Sequence, residues 1–190
     1  MSATYRGPLR AEPIAIELHN TVYAAAGQVL DGLAEPASAE AFVRALGAHL
    51  PRDLPPGRPP PAEQLVELRA NVRAALHAGV DYSPQSPKTL KALSATAGRA
   101  PASVGIAGGS DGEVKLTTHY HGAHRSDIVL AAFAADAIGL LTGPLRDNVH
   151  ACGAPGCVLL YLKRHPRQRW CSNNCGNRAR QARHYRRTHS

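Results

Sequence analysis

Apolar residues return at helical spacing along much of the chain and alternate in one stretch. The cleanest stripe is Leu65, Leu68, Val72, Ala75 and Leu76, which predicts a core-packed helix starting at Pro61 or Ala62. Asp127 to Leu141 is almost wholly apolar and Ala-rich, the pattern of a buried central helix, and Gly143-Pro144 ends it. Val22, Ala26, Val29, Leu30 and Leu33 also recur at helical spacing. They predict a helix from Asn20 to Leu33, preceded by a strand or extended segment over Ile14 to Leu18. Ser38 is the expected N-cap of a helix through Leu46, and Lys88 to Thr96 reads as a short helix. Alternation is confined to Ser103–Ile106 and Glu113–Thr117, which flank Gly108-Gly109-Ser110-Asp111-Gly112 and predict a hairpin with a flexible turn. The Pro-rich segments Leu54–Pro61 and Ser83–Pro87 connect these elements. The fold class that follows is mainly α with a small β-hairpin.

With 190 residues the chain can form one ordinary domain, over 1–145, and a small module over 146–190. Charge separates the two. Residues 146–190 hold ten Lys/Arg against a single acid, a net +9, whereas the other 145 residues net −1. A basic segment on a near-neutral domain points to a polyanionic partner, most often nucleic acid. No apolar run is long enough to span a bilayer and the N-terminus lacks an apolar signal core, so a cytoplasmic protein is expected, with no membrane partner. In that compartment thiols stay reduced and bind metal more readily than they form disulfides.

The chain has four cysteines, all in the basic module: Cys152 and Cys157 as C-x4-C, Cys171 and Cys175 as C-x3-C. Two close pairs can give four thiolates to one tetrahedral Zn²⁺. Four thiolates leave no open position for water, so one structural zinc ion is expected and catalytic zinc is not. A module of this size needs such a staple to fold. Cys171 and Cys175 open a helix in which Ala179, Ala182 and Tyr185 follow the ligand's side while Arg180, Arg183, His184 and Arg187 fall largely on another.

The run Arg169-Trp170-Cys171-Ser172 followed by Cys175-Gly176-Asn177-Arg178 resembles the CGNR zinc finger, a treble-clef-like module. Upstream, Leu18-His19-Asn20-Thr21 and Asp31-Gly32-Leu33 resemble the L-x-N-T and D-x-L opening of the helical ABATE domain, the finger's usual neighbour. The chain departs from the family in its C-x3-C pair and in the apolar stretch Val158–Leu162 after the second cysteine. Family members are regarded as candidate transcription regulators, often stress-related. The resemblance implies a helical N-terminal domain over 1–145 and a C-terminal finger over 146–190.

Five arginines between Arg178 and Arg187 make phosphate binding the favoured reading of the last helix over a merely solvated tail. Arg167, Arg169, Arg178, Arg180, Arg183, Arg186 and Arg187 are the candidate DNA contacts, although Arg178 could instead brace the zinc knuckle by hydrogen bonds. Trp170 reads as the finger's small apolar core. His119, His121 and His124 are a candidate ligand or second metal site, weighed against ordinary surface histidines. Asn20 and Thr21 read as helix-capping residues. No nucleophile–base pair, phosphate loop or carboxylate dyad marks an enzyme. The leading expectation is a zinc-dependent DNA-binding regulator whose helical domain senses an unidentified small-molecule effector or mediates homodimerisation. The alternative is an RNA-binding or protein-interaction adaptor built on the same finger.

Overall fold

The computed structural model describes residues 4–109 and 112–189. Six α-helices and three separate two-stranded antiparallel sheets make up the described chain. The Ser110-Asp111 part of the expected turn lies outside the described residues.

The central element is α5 (Arg125–Thr142), which packs against α1 (Ile14–His19), α3 (Ala62–Val80) and α4 (Pro87–Ala97). Its Val129, Leu130, Phe133, Ala134, Ala137 and Leu140 enter the main core, as the apolar run predicts. From α3 come Leu65, Leu68, Val72, Ala75 and Leu76, all five positions of the predicted stripe. Helix α2 (Pro36–Ala45) adds Phe42, whose ring stacks on Phe133 at 6.0 Å between centroids. Its N-cap is Glu35 rather than Ser38, because Pro36 takes the first helical position, where a missing N–H costs nothing.

The first thirty residues reverse the expected order. Ile14 to His19 form a short helix with every residue buried, and the segment expected to be helical is a hairpin of β1 (Val22–Ala25) and β2 (Gln28–Asp31). Ala25 pairs with Gln28 across a two-residue turn in which Ala26 and Gly27 both have positive φ, 49° and 79°. That is the primed turn whose twist suits a hairpin. The helical spacing misleads here because Val29 and Leu30 are solvent-exposed in the hairpin and do not form a core stripe.

The second hairpin is β3 (Ala102–Gly108) with β4 (Val114–Tyr120), longer than the alternation alone suggests. The third, β5 (Val149–Ala151) with β6 (Leu160–Leu162), belongs to the cysteine-bearing module, yet Val149 and Leu160 are buried in the main core with Leu162 packed against it. Two side chains of the helical region complete its outer edge. Asn20 donates from Nδ2 to the Leu160 carbonyl and accepts the Leu160 N–H at Oδ1, each at 2.9 Å. Glu12 accepts the Leu162 N–H at 3.0 Å. An unpaired strand edge against protein would leave buried backbone groups unsatisfied, and these side chains answer them.

Candidate metal centre and nucleic-acid interface

The module is a hairpin, a knuckle and a helix. Cys152 and Cys157 lie on the loop between β5 and β6, while Cys171 and Cys175 flank the start of α6 (Asn173–Thr188). Ser172 caps that helix, accepting the Cys175 N–H at Oγ. All four Sγ atoms lie within 4.8 Å of one another, Cys171 being 3.6 Å from Cys175 and 3.9 Å from Cys157. A disulfide would need about 2.05 Å. Four thiolates at about 2.3 Å from a tetrahedral zinc stand about 3.8 Å apart, which matches this spacing.

The four sulfurs are close enough to share one cation. Hydrogen bonds from Cys157 and Cys171 pull the Cys152 thiol down to about 2, and the same contact with Cys152 pushes Cys157 up to about 11. Cys171 is raised too, chiefly by Cys152. One thiolate therefore suppresses ionisation of its neighbours, and a divalent ion among them relieves that competition. The cluster already holds further donors: the Cys171 N–H points to the Cys152 sulfur and Arg178 to the Cys175 sulfur, each at 3.4 Å. Backbone and guanidinium bonds of this kind orient and stabilise thiolate ligands.

Each letter of Cys175-Gly176-Asn177-Arg178 has a physical task. Cys175 supplies a sulfur. At Gly176 a Cβ would come 3.1 Å from the Trp170 ring, so a side chain there would require the ring to shift by a few tenths of an ångström. Asn177 accepts a hydrogen bond from Arg180, whose guanidinium lies over Trp170 at 5.9 Å from the ring centroid. Arg178 makes the hydrogen bond to Cys175 that a bracing role requires. Trp170 packs on the small cluster of Cys152, Ala154, Tyr161, Cys175 and Ala179, as expected of a finger core. Tyr185, further along the same helix, is exposed and stacks on His189 instead.

Beside the cluster is an open groove of about 610 Å³. Arg167, Arg169 and Arg180 line it together with Arg164, His165 and Asn173, at the positive N-terminal end of α6. Arg183, Arg186 and Arg187 are exposed further along the helix. Arg164 was visible in the charge count but not as part of one surface, because the loop that folds it beside α6 carries no periodic signal. It also donates to the Ala11 carbonyl at 2.6 Å, tying the finger to the helical region.

The histidines are engaged separately. His119 on β4 is 3.4 Å from Thr117 Oγ1 and lines an open cavity of about 460 Å³ with Asp53 and Tyr120. His121 bonds Ser103 Oγ at 2.9 Å, and His124 is the N-cap residue of α5. Among the described residues the one group of three or more metal-ligating side chains close enough to share an ion is the four cysteines.

Asn20 is the C-cap residue of α1 and Thr21 Oγ1 donates to the Leu18 carbonyl at 2.8 Å, in line with the capping reading, which however missed buried polar contacts beyond the helix end. Arg69 on α3 donates to Thr21 Oγ1 at 2.9 Å and forks onto Asp31 at 2.5 and 2.7 Å. His19, fully buried, touches Asn20 Oδ1 through Nδ1 and His77 Nε2 through Nε2, both at 3.0 Å. Because the bonds to Leu160 orient the Asn20 amide, His19 carries its proton on Nδ1 and accepts from His77. Of the motif residues, Leu18 and Leu33 are core leucines, Asn20 bonds the finger at Leu160, and Thr21 and Asp31 hold Arg69.

A helical domain carrying a treble-clef-like, four-cysteine finger with a basic terminal helix is the class of protein this arrangement defines. Residues 12–144 match the ABATE family model, described as a putative stress-induced transcription regulator, and residues 148–188 match the CGNR zinc finger. The chain belongs to the ABATE family and carries a CGNR finger at its C-terminal end. Comparison with curated proteins gives no match. No helix among the described residues is long and apolar enough to cross a membrane.

Proposed function

We propose that this chain is a zinc-dependent DNA-binding transcription regulator. In this reading Cys152, Cys157, Cys171 and Cys175 hold one structural Zn²⁺, which closes the finger and supplies no catalysis. The observation that carries it is the groove at the start of α6, where Arg164, Arg167, Arg169 and Arg180 stand around a helix N-terminus directly beside the four sulfurs. Phosphate oxygens are the natural ligands of such a surface. Arg183, Arg186 and Arg187 extend it along α6 toward a duplex. Arg178, bonded to Cys175, acts by holding the knuckle. The helical domain senses an effector or carries the dimer contact. A cavity of about 550 Å³ lined by Arg44, Arg52 and Arg125 against a single acid, Glu40, with Val43 and Leu54, suits a small effector with an anionic and an apolar part.

The test is duplex binding by the zinc-loaded chain across a salt series. Arg167→Ala with Arg183→Ala is expected to weaken binding uniformly across sequences and to lower the salt slope by roughly 2, about one for each arginine withdrawn from a phosphate. An unchanged affinity and slope sinks the proposed interface. A marked preference for structured RNA over duplex DNA moves the same surface to the other nucleic acid.

A further inference from the structure

Four of the large apolar side chains most exposed in the described chain sit on one hairpin. Val104 is 72% exposed, Ile106 77%, Val114 71% and Leu116 74%. The register puts them on one face: Ile106 pairs with Leu116, Val104 with Thr118 and Val114 with Gly108. Ser103, Gly105, Lys115, Thr117 and His119 occupy the opposite face. The strands make their principal contacts with each other, and the body reaches them at the Thr118 N–H, which Asp53 accepts at 3.2 Å. A two-stranded sheet standing in water is marginal by itself. An uncovered aliphatic face of this kind marks an interaction site.

We propose that this face is a homodimer interface, covered by the β3–β4 face of a second copy of the chain about a two-fold axis. Its own layout supports a second copy. Of the eight positions on this face, the six beyond the Ala102–Tyr120 pair at its base, where Tyr120 is half-buried, form a grid in which each valine has a small or short partner across the strand, Thr118 for Val104 and Gly108 for Val114. Turned about an in-plane two-fold, along or across the strands, each valine of one copy lies over Thr118 or Gly108 of the other. The large side chains fill the small positions, and the Ile106–Leu116 row meets its counterpart. No charged residue is on the grid, and the chain's positive excess lies in residues 146–190, so two copies meet here without like charges in contact. If the face has the size of a typical monomer's largest apolar patch, about 300–600 Å², two copies bury about 600–1,200 Å² in total. That reaches the roughly 1,000 Å² threshold of a specific interface only toward its upper end and suits a weak, concentration-dependent dimer.

This gives the dimer contact in the reading above a surface. It is tested without nucleic acid, so it can fail while DNA binding stands. Sedimentation velocity on the zinc-loaded full chain is expected to show 20.1 kDa at low concentration and twice that mass as concentration rises. Ile106→Thr with Leu116→Thr, which puts a strand-favouring β-branched residue at both positions, is expected to stay monomeric with unchanged circular dichroism and zinc content. Lys115→Ala on the opposite face is expected to dimerise like the parent. A parent chain monomeric up to sub-millimolar concentration, or a double variant that doubles in mass as the parent does, overturns the proposal. Should the double variant unfold, amide exchange of the parent decides: dilution is expected to speed exchange over 102–120 alone, and concentration-independent exchange there overturns it.

Discussion

The β3–β4 hairpin has seven-residue strands with an apolar face in solvent, whereas β5–β6 has three-residue strands and Leu160 fully buried. The longer one is held by its own ladder. The shorter one is held from outside on two sides, by the cysteine cluster at its loop and by Asn20 and Glu12 along its edge. Strand length and alternation therefore say little about what stabilises a hairpin; what matters is whether other parts of the chain answer its edge and cover its face. The comparison also separates two kinds of surface, one that builds the molecule and one left over for a partner.

Removing the metal should have the largest effect on this contrast. The finger's own cluster is five buried residues, too few to hold a module of this size, while structural zinc brings about 10–16 kcal/mol in finger peptides. Chelation of the zinc-loaded chain, or Cys171→Ser, is expected to melt α6 and to strip amide protection from residues 149–188, read by circular dichroism and hydrogen exchange. Protection in α3 and α5 and in β3–β4 should survive. Survival of α6 and of β5–β6 protection after chelation would show that the finger does not depend on its metal in the manner argued, and melting of both hairpins together would show that the two are not held separately.

Truncating Asn20 comes next. Asn20→Ala leaves the buried N–H and C=O of Leu160 without partners and is expected to cost about 2–4 kcal/mol in a denaturant titration of the zinc-saturated chain. The matching change in the exposed hairpin, Thr117→Ala, should stay within about 0.5 kcal/mol. Equal costs at the two sites would erase the distinction between an externally held hairpin and a self-held one. Asn20→Asp keeps the acceptor but turns a second oxygen, with a buried charge, against the Leu160 carbonyl, and should cost at least as much as the alanine.

Much of this was legible in the chain itself. Periodicity located α3 and α5 with their buried faces, because those stripes are read by one continuous core. Cysteine spacing and charge located the four-cysteine cluster and the basic helix, because the geometry of a ligand set is local. The first thirty residues were not legible. Ala26 adopts a left-handed φ that favours Gly, Asn or Asp, so the turn carries only half its usual signature. The polar network was hidden for a different reason: Asn20 and Leu160 are 140 positions apart, and nothing local distinguishes a capping asparagine from one that pairs with a distant strand. Arg164 joined the groove through a loop with no pattern of its own.

The smallest of these effects tests how the docked edge depends on acid. Burial, and then the nearby Arg73, holds His19 down to about 3, so it stays neutral in the fold where a histidine in the unfolded chain takes up a proton. Between about pH 6.5 and 3 the unfolded state therefore binds the extra proton, and stability falls as pH falls, by up to about 1.4 kcal/mol per pH unit from this group. His77 is lowered in the same sense. Glu12, Glu17 and Asp136, raised by burial, act with the opposite sign, and Asp31, lowered by Arg69, acts at more acid pH, below its ordinary range. A difference measurement isolates the histidine. His19→Asn keeps a donor near Asn20 Oδ1 and removes the titration, so its stability should depend less steeply on pH between about 6 and 5 than the parent's, by about 1 kcal/mol per unit. Parallel slopes would mean that the buried imidazole does not set the acid limit. Amide exchange adds the location: acid should loosen Leu160, bonded to the residue beside His19, before Ile106, whose hairpin has its histidines in solvent.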